Sequence, residues 1–321
     1  MSELLRSRSE TLAYCAGVFD GEGSAMLLGQ GPGRPRRPQL SVAMTDPQPV
    51  EYLHDHLGGF LRTRAAEPGN NRQAQRRWMA NGSQALAAAR AIEPYLVIAR
   101  RKDLVEMLVR NYPTFDHRNI PDKDATRRRH QAIEALWADM RTVNTKRQEA
   151  LPKIERQDPT PEDWAYAAGV LDGEGHITQS DQRVEISSTD PELVAWLDSR
   201  FAGGRVYDRG VRSERHNRVW LWVISPTTGG REFLAGVRRY LLVPHKREQA
   251  NVNVSVPYAE HLPGTALEIA AATGANYRTI DKRLRGAVES GLLVRAQRPV
   301  GRRGGRPSWE YSERPEASSP D

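Results

Sequence analysis

The sequence predicts an α+β fold: two copies of one unit ordered helix, two strands, helix, two strands, helix, followed by a small unit at the C-terminus. Three observations point there. First, the segment Leu12 to Gly23, Leu-Ala-Tyr-Cys-Ala-Gly-Val-Phe-Asp-Gly-Glu-Gly, recurs as Trp164 to Gly175, Trp-Ala-Tyr-Ala-Ala-Gly-Val-Leu-Asp-Gly-Glu-Gly. Second, later landmarks repeat in the same order, the signature of a duplicated unit. Ser41 to Pro47 answers Glu185 to Pro191, Gly58-Gly59 answers Gly203-Gly204, and Trp78 answers Trp220-Leu221-Trp222. Each copy then closes on a basic cluster, Arg100-Arg101-Lys102 and His245-Lys246-Arg247. Third, from Thr265 the pattern changes to two short helices stopped by Gly274 and Gly291 and two strand-like runs.

The elements follow from local chemistry. Ser7-Arg8-Ser9-Glu10 fits a capping box, and Thr160-Pro161 gives an N-cap followed by proline at the first helical position. Strand pairs are expected at 24–29 with 38–45, 60–65 with 75–80, 176–180 with 183–188, and 205–210 with 217–224. These strands are rich in cations, among them Arg36, Arg37, Arg62, Arg64, Arg76, Arg77, Arg183, Arg205, Arg209 and Arg218. A β-ribbon bearing alternate cations fits a DNA major groove, and a solvated sheet face is the plainer alternative. Residues 122–147 read as a charged helix and 151–161 as a proline-rich linker. The expected division is a first half at 1–115, a linker at 116–161, a second half at 162–256, a C-terminal unit at 262–312 and a disordered tail at 313–321.

Composition sets outer bounds. The 321 residues suffice for two or three compact units. No apolar run approaches the roughly 20 residues that span a bilayer, and the charged N-terminus lacks the apolar core of a secretory signal. One cysteine, Cys15, excludes an internal disulfide framework and a multi-cysteine zinc site, so a cytoplasmic, nucleoid-associated protein is expected. The formal net charge of +7 favours polyanionic partners, although a GC-rich genome, which inflates arginine, would raise it as well.

The repeated segment points to chemistry. On a helix, Ala13, Gly17 and Gly21 share one face, as do Ala165, Gly169 and Gly173. Small residues at that spacing let two backbones approach closely. Glycine inside a helix costs about 1 kcal/mol against alanine, so stability alone does not explain the pattern. Packing the two faces together brings Glu22 and Glu174 to adjoining helix C-termini, where the helix dipoles already carry negative charge. A hard divalent cation such as Mg²⁺, or Mn²⁺ in its place, would relieve the conflict, and could activate water for phosphodiester hydrolysis. The alternative is that the two glutamates simply end a helix.

These segments resemble the LAGLIDADG motif of homing endonucleases, with Ala16 to Gly23 and Ala168 to Gly175 in register over two halves of the chain. The resemblance implies two αββαββα halves related by a pseudo-two-fold axis, with saddle-shaped antiparallel sheets over a long asymmetric duplex, in a monomer. It implies cleavage of both strands across the minor groove, leaving 3′ overhangs. It assigns the metal to Glu22 and Glu174, with Gly21 and Gly173 beside them; glutamate stands where the motif more often has aspartate. Asp20 and Asp172 match an earlier, structural acid. Asp46 and Asp190 match a polar residue near the attacking water, or else cap the next helix. Lys246 matches a late basic residue that neutralises the transition state. In the first half Arg100, Arg101 and Lys102 compete for that role, with Lys102 the nearest in type, and the mismatch would let one strand be cut more slowly.

The C-terminal unit resembles a winged helix-turn-helix. Ile280, Leu284 and Val288 form the expected buried stripe of its second helix. Arg278, Lys282 and Arg283 would read a groove, and Arg302 and Arg303 would sit on an arginine-rich wing. A LAGLIDADG scaffold joined to such a module also resembles WhiA-type regulators that bind DNA without cutting it. An RNA maturase on the same scaffold is a third reading.

Overall fold

The structure, a computed structural model, describes residues 7–29, 35–66, 73–113, 123–145, 150–178, 181–211, 217–250, 259–273, 276–289, 293–297 and 309–313. Two compact units divide at Asn251 and Val252, and both repeats fall in the first.

The first repeat runs α1 (Arg8–Glu22), β1 (Gly23–Leu28), β2 (Arg37–Met44), α2 (Pro47–Leu57), β3 (Phe60–Arg64), β4 (Gln75–Asn81), α3 (Ser83–Ile92) and α4 (Ala99–Asn111). The charged helix α5 (Lys123–Thr145) follows. The second repeat runs α6 (Pro161–Glu174), β5 (Gly175–Ile177), β6 (Val184–Ser188), α7 (Pro191–Arg200), β7 (Arg205–Asp208), β8 (Trp220–Ile224), α8 (Gly230–Arg238) and α9 (Pro244–Gln249). The two sheets are antiparallel with matching orders, β1-β2-β4-β3 and β5-β6-β8-β7. Each repeat carries one helix beyond the expected set, α4 and α9. A 3₁₀ turn at Glu93–Tyr95 separates α3 from α4, and Pro244 opens α9, so the basic clusters start helices of their own.

Both expected caps form. The Ser7 hydroxyl accepts from the Glu10 amide at 3.2 Å while the Glu10 carboxylate accepts from the Ser7 amide at 2.7 Å. Thr160 and Asp163 close the same reciprocal box on α6. The glycine pairs after α2 and α7 also have a reason. Gly59 and Gly203 sit at φ +90° and +88°, and a side chain there would strike Met79 O at 2.6 Å and Thr228 O at 1.3 Å.

Helices α1 and α6 pack on the faces that the glycines mark. A Cβ on Gly17 would lie 2.1 Å from the Tyr166 carbonyl oxygen, and one on Gly169 would lie 2.3 Å from that of Tyr14. From Ala13 to Gly21 every residue of α1 is buried, since sheet and α2 cover the side away from α6. A helix enclosed on all sides needs no amphipathic stripe. Trp78, Leu40, Val42 and Leu53 fill the first repeat's core. In the second, Trp222 meets Phe233 edge-on at 5.2 Å, and Phe201 stacks beside Trp164 at 4.7 Å.

The second unit orders β9 (Gly264–Thr265), α10 (Ala266–Thr273), α11 (Tyr277–Glu289), β10 (Leu293–Gln297) and β11 (Trp309–Glu313). Ile280 and Leu284 are buried with Ala266, Ile269, Leu293 and Tyr311, and Val288 packs against them. Strand β9, too short to leave an alternation in the sequence, pairs with β11 through Tyr311 and Gly264. No helix among the described residues is long and apolar enough to cross a membrane.

Candidate active site

At the touching ends of α1 and α6 the motif acids come together. A Cβ built on Gly21 would stand 3.4 Å from Glu174 Cγ and 3.8 Å from Gly173 Cα; one on Gly173 would stand 3.4 Å from Glu22 Cγ. Glu22 and Glu174 both reach solvent. Partial burial and the neighbouring Glu22 carboxylate push Glu174 up to about 7. Burial also raises Glu22, against the pull of Arg101 and Lys246. The crowding of like charge that the motif implied is therefore present.

Asp20 and Asp172 lie deeper and are shared between the repeats. Tyr166 donates to Asp20 Oδ2 at 2.7 Å, beside the main-chain amides of Val97 (2.7 Å) and Ile98 (3.1 Å). Tyr14 donates to Asp172 Oδ2 at 2.6 Å, beside the amide of Leu242 at 2.8 Å. Each tyrosine thus bonds the other repeat's aspartate. Burial raises both carboxyls above the usual range, and the Oδ1 atom of each has no hydrogen-bond partner among the described residues. These acids tie the helix ends to the turns before α4 and α9, a structural use.

Those turns fix the register of the basic clusters. Ile98 and Val243 are the N-caps of α4 and α9, so Arg100 matches His245, Arg101 matches Lys246 and Lys102 matches Arg247. Lys246 Nζ donates to the carbonyls of Leu171 (2.8 Å) and Asp172 (2.9 Å). Arg101 holds the equivalent place on α1: its guanidinium donates to Phe19 O, to Gly21 O at 2.9 Å and to Gly23 O at 3.0 Å. Lys102, the expected choice, is exposed, and one position past the N-cap register removes it from this helix end. By position it is Arg101, not Lys102, that matches Lys246. Two cations therefore complement the helix C-termini and relieve part of their negative charge.

Asp46 and Asp190 occupy the N-cap positions of α2 and α7, yet neither side chain makes a capping hydrogen bond. Asp190 lines an open pocket of about 180 Å³ with Glu174, Gly21, Asp20 and Arg101. Lys246 is faced by Asp172, Asp46, Glu22 and Glu174. The acidic pairs Glu22 with Asp46 and Glu174 with Asp190 are equivalent between the repeats: Asp46 stands near Lys246 and Asp190 near Arg101, and both cations act on both glutamates. Among the described residues, no group of three or more His, Cys, Asp or Glu could hold a metal ion by itself.

The cations divide by strand parity. Arg62 faces Arg77 directly across β3–β4, and Arg64 and Arg37 share that face, all exposed. In the second sheet Arg205 shares a face with Tyr207 and Glu185, and Arg183 pairs with Glu185 at 2.8 Å; the exposed Arg209 extends the ladder to Val219. Three others go elsewhere. Arg36 bonds Glu134 at 3.0 Å and stacks on Trp137 of α5 at 3.8 Å. Arg76 is on the Trp78 side of β4, bonded to Thr63 at 2.6 Å, and Arg218 is held by Asp208 at 2.6 Å. In the second unit Arg278 is exposed on α11; the side chains of Lys282 and Arg283, and Arg302 and Arg303 altogether, lie outside the described residues.

Twin helices carrying paired acids, between two equivalent four-stranded sheets, define the LAGLIDADG fold, and solved structures agree. A structure of the LAGLIDADG homing endonuclease I-SmaMI on uncleaved DNA with calcium ions matches with TM-score 0.52 and 14% identity, covering 84% of this chain and 97% of that one. A double mutant of I-SmaMI matches with TM-score 0.51 and 14% identity, covering 82% and 98%. No family model matches the sequence, and no curated protein does.

Proposed function

We propose that this chain is a divalent-metal-dependent DNA endonuclease that hydrolyses both strands of a long, asymmetric duplex as a monomer. The observation that carries the reading is the meeting of Glu22 and Glu174 at the ends of two glycine-faced helices, with Arg101 and Lys246 beside them. The I-SmaMI structure on a DNA target with calcium ions supports it by analogy of fold.

The donor set fits a hard cation. Each glutamate, with the glycine carbonyl beside it, offers oxygen donors too few to enclose an ion, which suits Mg²⁺ or Mn²⁺ keeping waters and taking phosphate oxygens. Bound there, the ion supplies Lewis-acid polarisation of the phosphodiester and a water of lowered pKa. The remaining work falls to side chains. Asp46 and Asp190 orient water at the scissile phosphates and accept its proton. Arg101 and Lys246 hold positive charge where the transition state gathers negative charge. Arg37, Arg62, Arg64, Arg77, Arg183, Arg205 and Arg209 neutralise flanking phosphates, and Arg278 of α11 adds a contact from a winged-helix unit.

The test is conversion of supercoiled plasmid carrying the target, recovered from a library of randomised inserts, in Mg²⁺ or Mn²⁺. Wild type should give linear DNA, while Glu22→Gln and Glu174→Gln should each stop at nicked circles. Binding of a recovered site with no cutting in either metal would favour the non-cleaving regulator.

A further inference from the structure

The two acidic pairs are related by the pseudo-dyad, but their partners are not equivalent. Arg100 of α4 crosses to the second repeat and grips Asp190: Nη2 lies 3.1 Å from Oδ2 and 3.3 Å from Oδ1, and Nε lies 3.4 Å from Oδ1. Its remaining amino group donates to Asn144 Oδ1 of α5 at 2.7 Å. Both side chains of the ion pair are largely enclosed, at 14% and 8% exposure. The equivalent crossing contact is far looser. His245 Nδ1 lies 3.9 Å from Asp46 Oδ1, and those side chains are 56% and 34% exposed. A planar, permanently charged guanidinium binds a carboxylate through two hydrogen bonds, which one distant imidazole nitrogen does not do. The α5 helix that steadies Arg100 follows the first repeat, and among the described residues no such helix follows the second.

We propose that Arg100 is a positioning residue that restrains Asp190, so that the two half-sites fire in order: the strand served by Glu22 and Asp46 is cut first, and the strand served by Glu174 and Asp190 second. This rests on the endonuclease reading above. A guanidinium on both oxygens takes up lone pairs that would otherwise orient water or take a proton, and holds the carboxylate in one position. Among the described residues Asp46 faces no comparable grip.

The experiment follows both strands of the recovered target duplex, each 5′-labelled separately, at saturating wild-type enzyme in Mg²⁺. Glu22→Gln and Glu174→Gln assign each strand to its acid by abolishing its cleavage. Wild type should cut the Glu22 strand about tenfold faster than the Glu174 strand, the scale set by releasing one charge-assisted hydrogen-bonded pair. Arg100→Gln should bring the two rates towards equality by accelerating the slower strand, and His245→Arg should slow the faster one. A purely structural role for Arg100 would lower both rates together and leave their ratio unchanged. Equal strand rates in wild type, a faster Glu174 strand, or an unchanged ratio in a folded Arg100→Gln enzyme would each overturn the inference while leaving the endonuclease reading intact. No cleavage of a bound site in any metal would remove both.

Discussion

Tyr166 on α6 donates its hydroxyl to Asp20 on α1 at 2.7 Å, and Tyr14 on α1 returns the bond to Asp172 on α6 at 2.6 Å. These crossed bonds bury two acids whose other oxygens have no partner among the described residues. Removing either hydroxyl leaves a desolvated carboxylate with main-chain donors only. Tyr166→Phe and Tyr14→Phe should each destabilise the protein by about 1–3 kcal/mol, measured by urea denaturation. A neutral result in both would mean that the main-chain amides suffice to hold the helix ends.

The glycines make a contrast testable by alanine. Ala ordinarily stabilises a helix by about 1 kcal/mol over Gly. At Gly17 the added carbon would meet a main-chain carbonyl at 2.1 Å, which only separating the helices relieves, so Gly17→Ala should cost roughly 2–3 kcal/mol. At Gly21 the nearest neighbour is the flexible Glu174 side chain at 3.4 Å, so Gly21→Ala should be close to neutral in stability. Thermal melts of the two variants check the order; a larger loss at Gly21 would contradict this packing.

The same contrast shows what a sequence reveals. Four-residue spacing of Ala13, Gly17 and Gly21 exposes the helix pair because close backbone approach leaves a compositional trace. Strand pairs are readable for a similar reason, through alternation and the flanking glycines. The choice of Arg101 over Lys102 is not readable: it depends on an N-cap at Ile98, a residue with no capping side chain to announce it. The crossing of Arg100 to Asp190 joins residues far apart in sequence and leaves no local mark. Strand parity is a finer signal that sorts the cations. Arg76 lies two residues from Trp78, and the burial of that indole already places Arg76 on the inner side of β4.

Acid–base behaviour supplies another check. Glu174 is raised from 4.5 to about 7, first by burial and then by Glu22. Its folded-state value exceeds its unfolded one, so its contribution to stability is complete below about 4.5 and is lost as pH rises through about 7. The metal-free protein should therefore melt at a lower temperature at about pH 8 than at about pH 5.5, by an amount that solvent near this carboxylate keeps modest. The raised value of Glu22 has the same sign. Glu174→Gln should flatten the profile and melt higher than wild type at about pH 8. A wild-type profile that climbs with pH, or a variant that tracks it throughout, would contradict the charge crowding between the two glutamates.

Salt dependence separates the arginines that face outward from those already engaged. Neutralising a duplex phosphate releases counterions, so each such contact contributes roughly −0.9 to the slope of log K against log salt. Arg77, exposed opposite Arg62, should be such a contact, and Arg77→Ala should reduce the slope's magnitude by about 1. Arg76, bonded to Thr63, and Arg218, held by Asp208, should leave the slope nearly unchanged on substitution by alanine. Fluorescence anisotropy on a generic duplex in Ca²⁺, titrated across salt concentrations, measures all three without requiring the specific target. If Arg76→Ala and Arg218→Ala flatten the slope while Arg77→Ala does not, DNA lies against the opposite face of these sheets.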